Sequence, residues 1–121
     1  ALDYNLVTGT TSNRRIFASI PKDEGQPDGL IVDAEGFIWN GHQGGWKLTR
    51  YDPNGKIERQ IRFPIQHVIS LAFGGKDLDV LYVTTSSWGF NDDDRKKQPW
   101  AGDLFHIETG IKGMVEPAFA G

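Results

Sequence analysis

Cysteine is absent from the 121-residue chain. That excludes a disulfide scaffold, a thiolate metal site and a cysteine nucleophile, and it fits a reducing compartment, so a cytoplasmic protein is expected. Positive charge is not in excess: 13 Lys and Arg stand against 16 Asp and Glu, for a net charge of −3. Without a basic patch, nucleic acid is not an expected partner. No apolar run approaches the ~18 residues of a bilayer span, so no membrane partner is expected either. A charged-then-apolar leader is missing as well, so no secretory signal is visible. Methionine occurs once, at Met114, and the chain is therefore expected to be part of a longer protein. No twelve-residue window carries an i, i+3, i+4, i+7 apolar stripe. Three chemical signatures are also missing. There is no Gly-x-Gly-x-x-Gly fingerprint and no phosphate loop, and Ser86 lacks the Gly-x-Ser-x-Gly setting of a serine hydrolase.

What is present is short-period and glycine-punctuated. The 15 glycines are about twice ordinary usage. Between them lie segments rich in β-branched and aromatic residues: Leu30-Ile31-Val32, Phe37-Ile38-Trp39, Lys47-Leu48-Thr49-Arg50-Tyr51, Ile57 to Phe63, Val68 to Phe73, Val80-Leu81-Tyr82-Val83-Thr84 and Leu104-Phe105-His106-Ile107. Each reads as a strand, and the chain reads as all-β. Leu2 to Gly9, Arg50-Tyr51-Asp52-Pro53-Asn54-Gly55 and His106-Ile107-Glu108-Thr109-Gly110 share an aromatic or apolar strand end, an acid and a glycine turn. All three are expected to be tight hairpins.

A longer repeat pairs Leu30-Ile31-Val32 through Trp39 with Leu71-Ala72-Phe73 through Tyr82. Its interval, Leu30 to Leu71, matches the ~40–45 residues of a four-stranded propeller blade. Threaded on that repeat, residues 29–63 form a full blade. Residues 68–119 form a second, with an insert at 86–102, and residues 1–20 supply the outer strands of a preceding one. These two and a half blades cannot close a ring of ~4–8. An open blade face is expected to be covered by missing N-terminal blades or by self-association.

Tyr4-Asn5-Leu6-Val7-Thr8-Gly9 with Asn13-Arg14-Arg15, then Pro27-Asp28-Gly29-Leu30 running into Asp33-Ala34-Glu35-Gly36 and Trp39, resembles the senescence marker protein, gluconolactonase and luciferin-regenerating enzyme family. Arg50 to Gly55, Ala72-Phe73-Gly74-Gly75, Leu81-Tyr82-Val83-Thr84 and Phe119-Ala120-Gly121 continue the match in order. The resemblance implies a six-bladed β-propeller with one divalent cation in its central channel, of which this chain would be the C-terminal portion. It also implies that Asp28, the aspartate of the Pro-Asp-Gly motif, is a metal ligand and the catalytic base in lactone hydrolysis. The remaining ligands, a glutamate and asparagines, would come from earlier blades. Calcium is the first expectation for the cation, with zinc, magnesium or manganese as alternatives.

Asp28 also has an argument of its own. In a meander blade the loops alternate ends, which puts Asp28 at the mouth of the channel, where a carboxylate suits a hard cation; the plainer alternative is a turn residue at a strand entry. Asp33, Glu35, Asp52 and Asp77 fall at the opposite end and read as turn residues. The insert 86–102 shares the end of Asp28. Its Trp88, Phe90 and Trp100 would wall or cover a substrate, or else pin a solvated loop. Asp92-Asp93-Asp94 lacks the alternating ligands of an EF-hand. His42 and Gln43, ahead of Gly44-Gly45-Trp46, could reach a polar substrate or serve a surface hydrogen bond. His67 and Ser70 lie near the channel without a visible triad, and His106 is expected to be exposed.

The expected activity is therefore a divalent-metal-dependent lactonase acting on a small sugar lactone such as gluconolactone, with Asp28 as ligand and base and Trp88, Trp100, His42 and Gln43 as candidate substrate contacts. The alternatives are a calcium-binding or scaffolding propeller piece without turnover, and a phosphotriesterase-like hydrolase.

Overall fold

The computed structural model describes residues 1–118. Its elements are β1 (Asp3–Tyr4), β2 (Thr11–Ser12), a 3-10 turn at Lys22–Glu24, β3 (Gln26–Val32), β4 (Ile38–Gln43), β5 (Lys47–Tyr51), β6 (Ile57–Arg62), β7 (His67–Gly74), β8 (Val80–Ser86), α1 (Asp92–Lys97) and β9 (Leu104–Glu108). The fold is all-β, a partial propeller. No helix among the described residues is long and apolar enough to cross a membrane.

Strands β3 to β6 pair antiparallel in sequence order, a four-stranded meander. A second meander runs β7, β8, β9. The two are joined where Gln43 of β4 pairs with His67 of β7. Alternation along the strands explains the packing. Trp39, Leu48, Val68, Leu71, Leu81 and Val83 are buried in one cluster between the meanders. There the Trp39 and Phe73 rings meet edge to face at 6.3 Å, and the Phe63 and Phe105 rings at 5.5 Å.

Two of the three expected hairpins form. β1 pairs with β2, and β5 turns into β6 through Asp52 to Gly55, where Gly55 takes φ 80°. The third does not. After Gly110 the chain leaves β9, and Gly113 bridges to Asp33 of the other meander, so residues 106–110 end a strand rather than turn one. The part assigned to Phe119-Ala120-Gly121 lies outside the described residues.

The insert 86–102 holds a helix that the periodicity did not show. At six residues, α1 is too short for an apolar stripe, and its existence rests on capping. Asn91 Oδ1 accepts from the N–H groups of Asp93 and Asp94, and the Asp94 carboxylate accepts from the N–H of Asn91, a reciprocal box. The acids of the first turn and Arg95-Lys96-Lys97 of the last complement the helix dipole.

Candidate functional site

Asp28 sits on a β-bulge. Pro27 pairs with His42 and Leu30 with Asn40, so Asp28 and Gly29 together stand opposite Gly41. An extra residue bends the strand and re-aims its side chain. Asn40, 5% exposed, holds the bulge: its amide donates to the carbonyls of Asp28 and Gly29 at 3.1 and 3.0 Å. Gly29 is required for a different reason. A Cβ there would stand 2.8 Å from Ser70 Cα and 2.9 Å from the Ile69 carbonyl, because β3 and β7 meet at this point. β7 carries a bulge of its own between Val68 and Ser70. The repeat interval sets Asp28 against Ile69 and Gly29 against Ser70, so the bulge belongs to the architecture. Only the first meander puts a carboxylate on it.

That carboxylate is exposed and makes no hydrogen bond or ion pair with the described residues. The other acids of the chain that face a partner differ. Asp33, fully buried, accepts from Trp39 Nε1 and Arg50 Nε, both at 2.8 Å. Arg50 also reaches Glu35 at 2.6 Å and Glu58 at 3.3 Å. Burial alone would make this guanidinium easier to deprotonate, but the hydrogen bonds it donates to Glu35, Asp33 and Glu58 outweigh it and hold the proton more firmly. This cluster lies at the Asp33–Phe37 turn, away from Asp28, and its acids are committed to Arg50. Asp28 is free to bind.

Among the described residues no group of three His, Asp or Glu side chains converges to hold a metal. Asp28 fits a hard cation as a single oxygen donor, and a cation with ~6–8 oxygens needs others. Asp92 and Asp93 occupy the first turn of α1 and Asp94 completes its cap, so the triple acid is spent on helix geometry.

The remaining candidates separate. Gln43 and Trp88 line one cleft of about 420 Å³ with His67, Gln26, Lys22 and Asp23. Trp100 is 53% exposed and lines neither this cleft nor the larger one. His42 corrects the expectation of a surface hydrogen bond: it is 1% exposed. Its Nδ1 donates to the Glu24 carbonyl at 3.1 Å, which leaves Nε2 as a bare, buried acceptor with no partner. Burial above all holds this imidazole's pKa below its usual value. Beside it the buried Lys47 ammonium pairs with Glu24, so His42 and Lys47 together fasten the approach to β3.

The insert is pinned rather than loose. Gln98 is 5% exposed, and its Oε1 accepts from the Gln66 N–H at 2.6 Å. Thr85 Oγ1 donates to the Asp103 carbonyl and accepts from the Gly102 N–H, closing the base. Phe90 lies 5.2 Å from the His67 ring. Trp88 remains 77% exposed. His106 is exposed as expected.

Residues 1–87 match the family described as the SMP-30/Gluconolactonase/LRE-like region. The chain belongs to that family. Regucalcin of Xenopus laevis is 42% identical over the whole of this chain, and regucalcin of Homo sapiens 38%. The chain spans about two-fifths of these curated relatives, 41% of their length in both cases. Among solved structures, a calcium-binding regucalcin from Agrobacterium tumefaciens superposes with TM-score 0.88 at 30% identity, over 96% of this chain and 40% of that one. A luciferin-regenerating enzyme superposes with TM-score 0.82 at 29% identity, over 93% and 38%.

His67, Gln26 and Ser86 are site neighbours that the motif reading did not assign. A signal existed: Gln26 and His67 stand at the same repeat interval as Leu30 and Leu71.

Proposed function

We propose that this chain is the C-terminal portion of a divalent-cation-dependent lactonase, which opens a small sugar lactone by adding water to its carbonyl carbon. The observation that carries the reading is the exposed, unpartnered carboxylate of Asp28, set on an architectural bulge whose counterpart in the next blade is Ile69. A carboxylate with no partner among the described residues, held on a bulge that Asn40 ties down, supports a role in binding a ligand.

In this reading Asp28 supplies one oxygen to the cation, and the full-length protein supplies the rest. Calcium is the first choice, in keeping with the calcium-binding relative; zinc, magnesium or manganese are alternatives. A cation held there would supply Lewis-acid polarisation of the lactone carbonyl. Asp28 takes a proton from the attacking water. The new C–O bond forms at the carbonyl carbon, the ring C–O bond breaks, and the proton ends on the released alkoxide oxygen, giving a hydroxy acid. Asn40 fixes the bulge so that the carboxylate keeps its aim, and Gly29 lets the neighbouring inner strand close against it.

The test is Asp28→Asn in the full-length protein, followed by proton release from gluconolactone and from a phosphotriester, with calcium titrated by calorimetry. Loss of a general base lowers turnover by about 10²–10⁴-fold. The thermal midpoint should hold, because the side chain has no partner to lose. Near wild-type lactone turnover and calcium affinity in Asp28→Asn would end this reading, and hydrolysis of the phosphotriester alone would transfer it to the other substrate class.

A further inference from the structure

One row of residues crosses four strands at the end of the sheet that carries Asp28. Gln26 of β3 pairs with Gln43 of β4, Gln43 pairs with His67 of β7, and His67 pairs with Ser86 of β8. Directly paired residues project to the same side of a sheet at about 4.8 Å intervals. The row is therefore a continuous line of amide, amide, imidazole and hydroxyl. Its chemistry is uncharged hydrogen bonding in both directions.

Three observations point to an occupant. Gln26, Gln43 and His67 line the same cleft, with Lys22 and Asp23 at its rim. Neither ring nitrogen of His67 has a hydrogen-bond partner among the described residues; Nδ1 is buried, which leaves Nε2 as the nitrogen that a ligand in the cleft would reach. Trp88 lines the same cleft, and its indole is 77% exposed. Its backbone is fixed by the hydrogen bond from its N–H to Ser86 Oγ at 3.0 Å. A flat apolar face above a row of neutral donors and acceptors is the arrangement that receives a polyhydroxylated carbon chain: C–H groups against the ring, hydroxyls against the row. Asp28 follows Gln26 on β3 by two residues, about 7 Å along an extended strand. A ligand with its carbonyl at Asp28 would lay its hydroxylated tail across the row.

We propose that Gln26, Gln43, His67 and Trp88 form a polyol subsite, which selects lactones by the hydroxyl groups borne outside the reacting ester. The proposal rests on the lactonase reading for the role of the site, though not for its binding chemistry. These residues determine specificity; none touches the reacting bond.

The experiment uses the full-length protein and two variants, His67→Phe and Trp88→Ala. The second removes an exposed side chain and keeps the fold. Steady-state kinetics compare gluconolactone with δ-valerolactone, which has the same ring without hydroxyls. Each variant should raise KM for gluconolactone about tenfold and leave KM for δ-valerolactone within twofold, with kcat little changed. Equal effects on the two lactones, or none on either, would overturn the subsite. Binding is read separately by titrating sorbitol against the His67 imidazole resonances. A saturable shift that disappears in Trp88→Ala supports the subsite even if neither lactone is turned over, an outcome that would overturn only the hydrolase reading. No shift at any sorbitol concentration overturns the subsite itself.

Discussion

Asp33 and Asp52 show how far a single residue's surroundings can separate two identical local motifs. Both precede a glycine turn, and both accept backbone N–H groups from the residues two and four positions on: Glu35 and Phe37 for Asp33, Asn54 and Lys56 for Asp52. Their turn role was legible in the sequence. The difference was not, because it comes from other strands: Arg50 on β5 and Trp39 on β4 converge on Asp33, while Asp52 faces solvent. Asp33→Ala should therefore destabilise the protein by about 3–5 kcal/mol, since it leaves the buried Arg50 short of its fully buried counter-charge and the indole N–H unpaired. Asp52→Ala should cost about 1 kcal/mol. Chemical denaturation of the two variants in the full-length protein measures the gap, and equal costs would mean that the turn bonds alone matter.

At the scale of the element, the strand that bears Asp28 is held at its start by two buried polar groups. His42 gives its one proton to the Glu24 carbonyl. A second proton would place an N–H at Nε2, where the structure offers no acceptor. Burial, with the nearby Lys47 charge, thus keeps the folded-state pKa of His42 below its unfolded value of about 6.5, although the Glu24 contacts oppose this. The sign follows. The unfolded chain takes up the proton first, so stability is full above about pH 6.5 and falls as the pH drops from there toward the lower folded value. Further down, Glu24 and Glu58, whose carboxyls are held below the usual range by Lys47 and Arg59 respectively, lose stability as they protonate. Urea midpoints measured from pH 7.5 to 5 should decline in the wild type, and His42→Gln, which keeps a donor for the Glu24 carbonyl but cannot titrate, should flatten the decline. An unchanged slope would place the titration elsewhere. None of this was visible in the sequence, where His42 read as a loop residue. The strand reading that misplaced it caught β5 to β9, whose alternation and β-branched content announce them, but it left out the first residues of β3, from Gln26 to Asp28, and the last of β4, from Asn40 to Gln43. The misses were α1, which is made by a cap rather than by periodicity, and the turn expected at Gly110, which instead carries the chain across to Asp33.

For the whole molecule, the question is what covers the first blade's outer face. Trp39, Leu48 and Val68 fill the space between the two meanders, but the opposite side of β3 and β4 has no such neighbour. Leu30 is 64% exposed and Ile16 83%, and with Phe17, Ile20, Ile38 and Tyr51 they border a cleft of about 960 Å³. Residues 14–20 cross this face as an extended segment without a sheet of their own. β1 and β2, two residues each, form a hairpin apart from the main sheet. Strand edges and apolar faces of this extent drive association. Residues 1–121 expressed alone should therefore sediment as a dimer or larger species, and should hydrolyse no lactone, since no three Asp, Glu or His side chains converge on a cation among the described residues. Supplying the N-terminal blades as a separate chain should shift the sedimenting species to a single one-to-one complex and restore calcium binding, because the same face that mediates self-association would then close the ring. Substituting Leu30→Glu should weaken both associations together, for it places a charge in the centre of the covered face. If the isolated chain sediments as a monomer across micromolar concentrations and Leu30→Glu leaves the complex intact, the face is solvated as it stands and the ring closes elsewhere.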